Sequence, residues 1–336
     1  MKRRQQLVFA LSILVSAIFL ILAFRGLNPG AVWDSIRSAQ FGWLAIAFMI
    51  SFAVRLVVTR RWQFLIDGIK PVPFSRLYEL VNIGYMGNNI YPFRAGEVLR
   101  CVLLQRSHQV PFAQTAMTIL VERAFDGIVM VSFVILGLLT LNLDSEILRQ
   151  GAAFTALWFF VAISLFFFLA LRPSLFRWLI TKFTGWLPEM IGRRIAGLSN
   201  DVIDGVAGLR RPRDLAGAVV TSYITWMIEA MAYTAVAIAF NNAGVPVNYI
   251  LMLVVVGAVN LGQIIPSSPG AVGVFEFFAK TVLVAFGAPE ADALAYALLV
   301  HVIIWLPPTL HGFYILGRQG LKLSAIAHAR EMQSSQ

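Results

Sequence analysis

Apolar and polar positions segregate along this chain into long blocks. Charge-free apolar runs occupy Leu7–Phe24, Phe41–Val54, Met130–Leu143 and Gly151–Leu171, with others around Ala216–Phe240, Tyr249–Ile265 and Ala293–Leu316. Several approach the roughly 20 residues that a helix needs to cross hydrocarbon. Two segments break the pattern. "GNNIYPFRAGEVLRC", Gly87 to Cys101, sets two asparagines, a proline, two arginines and a glutamate between apolar stretches. "GQIIPSSPGAVG", Gly262 to Gly273, interrupts a later stretch with prolines, serines and glycines. Backbone freed by proline and glycine at membrane depth is stable only where protein or a water-filled cavity satisfies it. Both segments are therefore expected to face a protein interior.

Composition sharpens the class. Hydrophobic residues make up 59%, charged residues 13%, and mean hydropathy is +0.76, which describes a polytopic membrane protein. The first run follows "MKRRQQ", but its apolar length is generous and no small-x-small cleavage site precedes Arg25, so it reads as an uncleaved first span. Cys101 is the lone cysteine, which excludes an intramolecular disulfide and a thiolate metal cluster. The four histidines are scattered, and no metal or cofactor is expected.

The net charge of +10 raises the possibility of nucleic-acid binding, which the placement of the basic residues argues against, because they sit at the ends of the apolar runs. If the spans alternate, most of the 27 lysines and arginines fall on one side: Lys2, Arg3 and Arg4, then Arg60, Arg61, Lys70, Arg76 and Arg106, then the cluster from Arg172 to Arg213, then Arg318, Lys322 and Arg330. Arg25, Arg37 and Arg149 fall on the other. The positive-inside rule then puts both termini in the cytoplasm. That orientation closes if residues 77–104 enter and leave on the cytoplasmic face as a re-entrant hairpin, and residues 249–286 do the same from outside.

The two hairpins share a pattern. A shift of 174 residues lays Asn89, Ile90, Pro92 and Gly96 onto Gln263, Ile264, Pro266 and Gly270, and Arg55 onto Glu229. Residues 41–143 and 215–317 thus read as inverted-repeat halves, each a span, a re-entrant hairpin and a span. In secondary transporters built this way, broken helices meet near the midplane and carry the substrate site. The expected fold is all-α, with six full spans plus two re-entrant hairpins.

"NNIYPFRAGEVLR", then "VERAFD", then "IPSSPGAVGVFE" resemble the signature segments of the lysylphosphatidylglycerol synthase transmembrane-region family, over nearly the whole chain. That family includes the flippase half of the bacterial multiple peptide resistance factor and the YbhN-like, hopanoid-associated and AglD-like membrane proteins. The resemblance implies a lipid-handling, flippase-like membrane protein. It does not carry over the synthase, whose soluble transferase domain is expected to be missing here.

Candidate site residues follow from polar groups at membrane depth. Asn88 and Asn89 offer amides at the first tip. Arg94, Glu97 and Arg100 lie at i, i+3 and i+6, so Glu97 can pair with either arginine, and the surplus positive charge suits a phosphate diester. The alternative is a self-neutralising structural cluster. Glu122, Arg123 and Asp126 follow in the next span, either as ion-pair partners of Arg94 or Arg100 or as a coupling carboxylate. Arg55 and Glu229 are isolated charges inside their spans, able to pair across a two-fold axis; alternatively Glu229 couples transfer to protons. At the second tip, Ser267, Ser268 and Gly270 are backed by Glu276 and Lys280 at i, i+4, and a helix starting after Pro269 would aim free amides at a headgroup. A pure kink explains this tip equally well. His301 and His311 read as packing residues.

Between the halves, Ile191, Ile195, Leu198, Val202, Val206 and Leu209 repeat at helical spacing, so 172–214 reads as a cytoplasmic amphipathic connector. The sequence thus points to a non-enzymatic transporter of a membrane lipid with an anionic or phosphate-containing headgroup. The alternatives are an intramembrane lipid-modifying enzyme and a non-transporting subunit beside a lipid-biosynthetic partner.

Overall fold

A computed structural model describes residues 3–92, 94–141, 211–240 and 244–318, with a few isolated positions between 150 and 182. Apart from those isolated positions, the span expected at 151–171 and the connector residues 172–210 lie outside the described residues. What is described is helical, without strands: α1 (Arg3–Phe24), α2 (Pro29–Ser38), α3 (Phe41–Ile66), α4 (Phe74–Ile90), α5 (Ala95–His108), α6 (Phe112–Thr140), α7 (Pro212–Ala239), α8 (Tyr249–Gly262), α9 (Val274–Ala285) and α10 (Glu290–Arg318), with a 3-10 turn at Pro269–Ala271.

Local sequence sets many of the boundaries. The tripeptide Val-Pro-Phe starts both α4 and α6, its proline closing the preceding turn at φ −55° and ψ 137° in each case. Asn28 caps α2 by accepting from the Gly30 amide at 2.8 Å, and Asn248 caps α8 by accepting from the Ile250 and Leu251 amides. Helices α3, α7 and α10, with 26, 28 and 29 residues, are long and apolar enough to cross a membrane. At 1.5 Å per residue each exceeds the ~30 Å hydrocarbon core. Helix α6 matches α10 in length, with Glu122, Arg123 and Asp126 near its middle. Helices α1 and α2 form a bent pair at 79°.

Helices α3 and α7 run antiparallel at the centre. The Gln40 amide at the start of α3 donates to the Ala239 carbonyl at the end of α7, while Gly217 near the start of α7 lies against Phe64 near the end of α3. The short helices form two hairpins. Lys70 Nζ, before α4, donates to the His108 carbonyl at the end of α5 at 2.8 Å, so the first pair returns to where it begins. Gly244, before α8, lies against Pro289, after α9, so the second pair does the same at the opposite end of α3.

Packing is matched between the halves. Helix α3 packs on α4 as α7 packs on α8; α4 packs on α10 as α8 packs on α6; and each hairpin packs on the long helix that follows it. The α4–α5 contact is close enough to require glycine, because a Cβ at Gly96 would overlap the Gly84 carbonyl oxygen and one at Gly87 would fall 2.7 Å from Gly96 Cα. Buried apolar clusters hold the assembly, one around Tyr233, Phe240, Phe275 and Tyr296, another around Trp62, Leu77 and Phe125, and a smaller one of Ile83, Met86, Leu99, Ile315 and Leu316 where the first hairpin meets α10.

Candidate functional site

Both hairpin tips open into one cavity of about 470 Å³ between α3, α7 and α10. The first tip contributes Asn88, Asn89, Tyr91, Arg94 and Glu97; the second contributes Gln263 and the segment from Ile264 to Ala271, which includes Ser267, Ser268 and Gly270. Arg55 and Glu229 line it from α3 and α7, Arg123 from α6, and His301 and Trp305 from α10. Its volume lies within the roughly 300–1,000 Å³ usual for small-molecule sites. Arg94, with 44% of its side chain exposed, and Ile264, 62% exposed, are the cation and the apolar group on its open side.

The first tip is built to present positive charge. Arg94 takes a left-handed conformation, φ 50° and ψ 39°, at the N-cap of α5, and no side chain caps that helix end. The positive end of the α5 dipole therefore faces the cavity beside the guanidinium. A non-glycine residue in this region is uncommon and costs steric energy. Glu97 lies 3.5 Å from Arg94 and 3.8 Å from Arg123.

Behind the tip sits a buried ion network. Arg61, fully buried on α3, donates to both Glu122 and Asp126 of α6. Arg100 donates to Glu122 at 3.1 Å and stacks over Trp62 with its guanidinium 3.9 Å from the ring centre. Arg123 lies 3.2 Å from both carboxylates, and Trp226 Nε1 donates to Asp126 at 2.6 Å. The four arginines Arg61, Arg94, Arg100 and Arg123 thus face the three carboxylates Glu97, Glu122 and Asp126. One positive charge remains, and of these four arginines Arg94 and Arg123 reach the cavity.

This arrangement corrects several expectations. Arg61 belongs to the buried network and not to the exposed cytoplasmic cations. Glu97 pairs with Arg94 and Arg123; Arg100 turns away to Glu122 and is 3% exposed, off the cavity. Glu122 and Asp126 also lie behind the lining. Arg55 and Glu229 do meet, at 3.6 Å, and Arg55 also stacks 4.1 Å from the Tyr85 ring centre.

The second tip is held differently. No helix begins directly after Pro269: a 3-10 turn intervenes, and α9 starts at Val274 with its own Glu276 accepting from the Gly273 amide at 2.7 Å. The anion end of that helix is already occupied. Glu276 pairs with His301, and Lys280, spaced i+4 from it, donates to Glu290 and to the Ala23 carbonyl. The Ser268 amide donates to Ser16 Oγ of α1. Asn89 ties the first tip to α10, donating to Trp305 O and Thr309 Oγ1 at 3.1 and 2.8 Å.

Sequence reasoning missed Arg61, Trp226 and His301. Helical phase holds a signal for the first: Val54, Val58, Arg61 and Leu65 follow one buried stripe at i, i+4, i+7 and i+11, whereas Arg60 lies off it.

A family model described as the TM region of lysylphosphatidylglycerol synthase matches residues 9–312, a stretch that contains both tips and every charge of the network. The chain belongs to that family. Similar proteins include a UPF0104 membrane protein of Pyrococcus horikoshii, 22% identical over 93% of this chain and 97% of its own. A UPF0104 membrane protein of Methanothermobacter thermautotrophicus is 21% identical over 79% of this chain and 81% of its own. Glycosyltransferase AglD of Haloferax volcanii is 25% identical over 90% of this chain but 52% of its own length. The chain spans about half of that relative. Membership in this family, with the apolar helices, makes the protein an integral membrane protein.

Proposed function

We propose that this protein moves a lipid with an anionic, phosphate-containing headgroup between membrane leaflets, holding the headgroup in the cavity where the two tips meet. The observation that carries this reading is the joining of both tips around one cavity with a surplus cation. Phosphate oxygens suit the fork of Arg94 and the outer edge of Arg123, and the open end of α5 adds a dipole of the right sign. Ile264, on the open side, gives the tail an apolar surface while the headgroup is inside.

In this reading the halves are inverted repeats: the central helices are α3 and α7, the hairpins are re-entrant from opposite faces, and both termini are cytoplasmic. The matched packing of the halves and the opposite placement of the two hairpin feet support it. Six spans then comprise α1, α3, α6, 151–171, α7 and α10.

An enzymatic reading is suggested by the glycosyltransferase name of the Haloferax relative. The matched region leaves half of that protein uncovered, so its named activity need not reside in the shared part. The carboxylates that line the cavity, Glu97 and Glu229, are engaged in ion pairs with Arg94, Arg123 and Arg55, an arrangement that suits holding a charged headgroup.

The test is reconstitution of the pure protein in liposomes with headgroup-labelled lipids, scoring both transfer and chemical change. Transfer of the unaltered lipid is the expected result. A modified headgroup would establish an enzyme instead, and inertness in both assays would point to a subunit that supports a partner.

A further inference from the structure

His301 on α10 faces the second tip. Its Nε2 lies 2.8 Å from the Gly270 carbonyl oxygen and its Nδ1 2.6 Å from Glu276 Oε1. A carbonyl can only accept, an ionised carboxylate can only accept, and a neutral imidazole owns one N–H. Both contacts are hydrogen bonds together only when the pair holds a second proton, as an imidazolium beside a carboxylate. With one proton fewer, one contact sets a lone pair against a lone pair and opens.

What opens is the tip itself. The other Glu276 oxygen receives the Gly273 amide, so ring and carboxylate close a loop of bonds around residues 270–276. Within that loop Gly270, inside the 3-10 turn, and Gly273, at the N-cap of α9, have φ of 71° and 89°, conformations that glycine adopts freely, so the backbone can swing at either residue. Phe275 stacks on the ring at 4.2 Å and fixes its plane.

Neighbouring charges are engaged elsewhere. On α9, Lys280 is bound to Glu290 and the Ala23 carbonyl; on α7, Glu229 is paired with Arg55 of α3; and the Tyr296 hydroxyl of α10 donates to the Tyr233 carbonyl of α7. Helix α4 presents Asn89, α8 presents Asn260 and Gln263, and α1 presents Ser16. The charges of the first tip, Arg94, Glu97 and Arg123, lie on the same cavity.

We infer that His301 and Glu276 form a proton-binding latch on the second tip, closed with the proton and open without it, which couples movement of the anionic lipid to movement of a proton. The inference rests on the transport reading above. An anionic headgroup in the cavity favours the neutral, proton-loaded pair over the negative, proton-free one, and the loaded pair favours the headgroup in return. Lipid and proton therefore travel together.

Two measurements test this. In liposomes, with one proton carried per lipid, each unit of imposed pH gradient shifts the steady-state leaflet ratio of the labelled lipid by about tenfold, and both His301→Gln and Glu276→Gln abolish the shift. In detergent, a nitroxide label on Ser267→Cys, with Cys101 replaced, is immobile at low pH and mobile at high pH; with His301→Gln it is mobile at both. Lipid transfer indifferent to the gradient in the unmutated protein overturns the proton coupling while leaving transport intact. A label whose mobility follows neither pH nor His301 overturns the latch. A label that switches in a protein that moves no lipid would uphold the latch and remove the transport reading instead.

Discussion

At the residue scale, the difference between Arg94 and Arg61 decides what each charge is for. Arg61 is fully buried and satisfies two carboxylates, so Arg61→Met leaves Glu122 and Asp126 short of a cation in a dry environment. Breaking such a network costs about 3–5 kcal/mol, and the expected result is loss of folded protein from the membrane, read by gel-filtration yield. Arg94 is half-exposed and its nearest carboxylate is 3.5 Å away. Arg94→Ala keeps a non-glycine residue in the same left-handed backbone and removes a half-exposed guanidinium, so stability, read by thermal melting, should change by about 0.5 kcal/mol or less, while lipid transfer falls. Arg94→Lys should recover part of the transfer, the charge being kept and the fork lost. The Arg55–Glu229 pair gives a third case. Glu229→Gln strands a buried arginine and should lower the melting temperature, and adding Arg55→Gln should restore much of it, because the double variant removes the uncompensated charge. If Glu229→Gln melts normally and the double variant is no better, the pair is not a structural tie.

At the element scale, the hairpins were legible because a proline and small residues inside an apolar block admit few structures in a membrane. The first tip sits within "NNIYPFRAG", and α4 and α5 flank it. The second tip was legible as a break but not in detail. Sequence offered Pro269 as a helix start, yet Gly270 and Gly273 adopt positive φ, and α9 is delayed to Val274. Partners on other helices were the illegible part: His301, 31 residues from Gly270 in sequence, reaches it only because α10 folds back on the hairpin. The close approach of α4 and α5 makes a sharp prediction. Gly96→Ala places a methyl group on the Gly84 carbonyl and should unseat the first hairpin, whereas Gly317→Ala, with open space around it, should be neutral or slightly stabilising through helix propensity. Thermal melts of the two variants side by side check this, and equal melting temperatures would show that the hairpin contact is looser than described.

At the scale of the whole molecule, the feature read from sequence that reaches furthest is the shift of 174 residues, because it pairs segments that no local rule connects. Local propensity says nothing about Asn89 and Gln263 lining the same cavity. Sequence offered the Arg100–Glu122 pair as one alternative, and it forms; what sequence could not supply is Arg61, which reaches Glu122 and Asp126 from a third helix. Nor does the second half mirror that network: the shift places Tyr296 at Glu122 and Val300 at Asp126. In the proposed reading, a repeat whose frame is symmetric but whose charges are not would have one anion-holding tip and one latch-held tip, which suits a cycle in which a headgroup held at one is released by movement of the other. Opposed hairpins are the condition for such a cycle, and they can be tested by chemistry from one side of the membrane. Lys70 marks the foot of the first hairpin, and Val247, 45% exposed just before α8, marks the foot of the second. With Cys101 replaced, a cysteine at Val247 should react in intact cells with a thiol reagent that cannot cross the membrane, and a cysteine at Lys70 should react only after the cells are opened. Labelling of both positions from outside, or of neither, would place the two feet on one face, and a cavity entered from one face alone cannot serve two leaflets in turn.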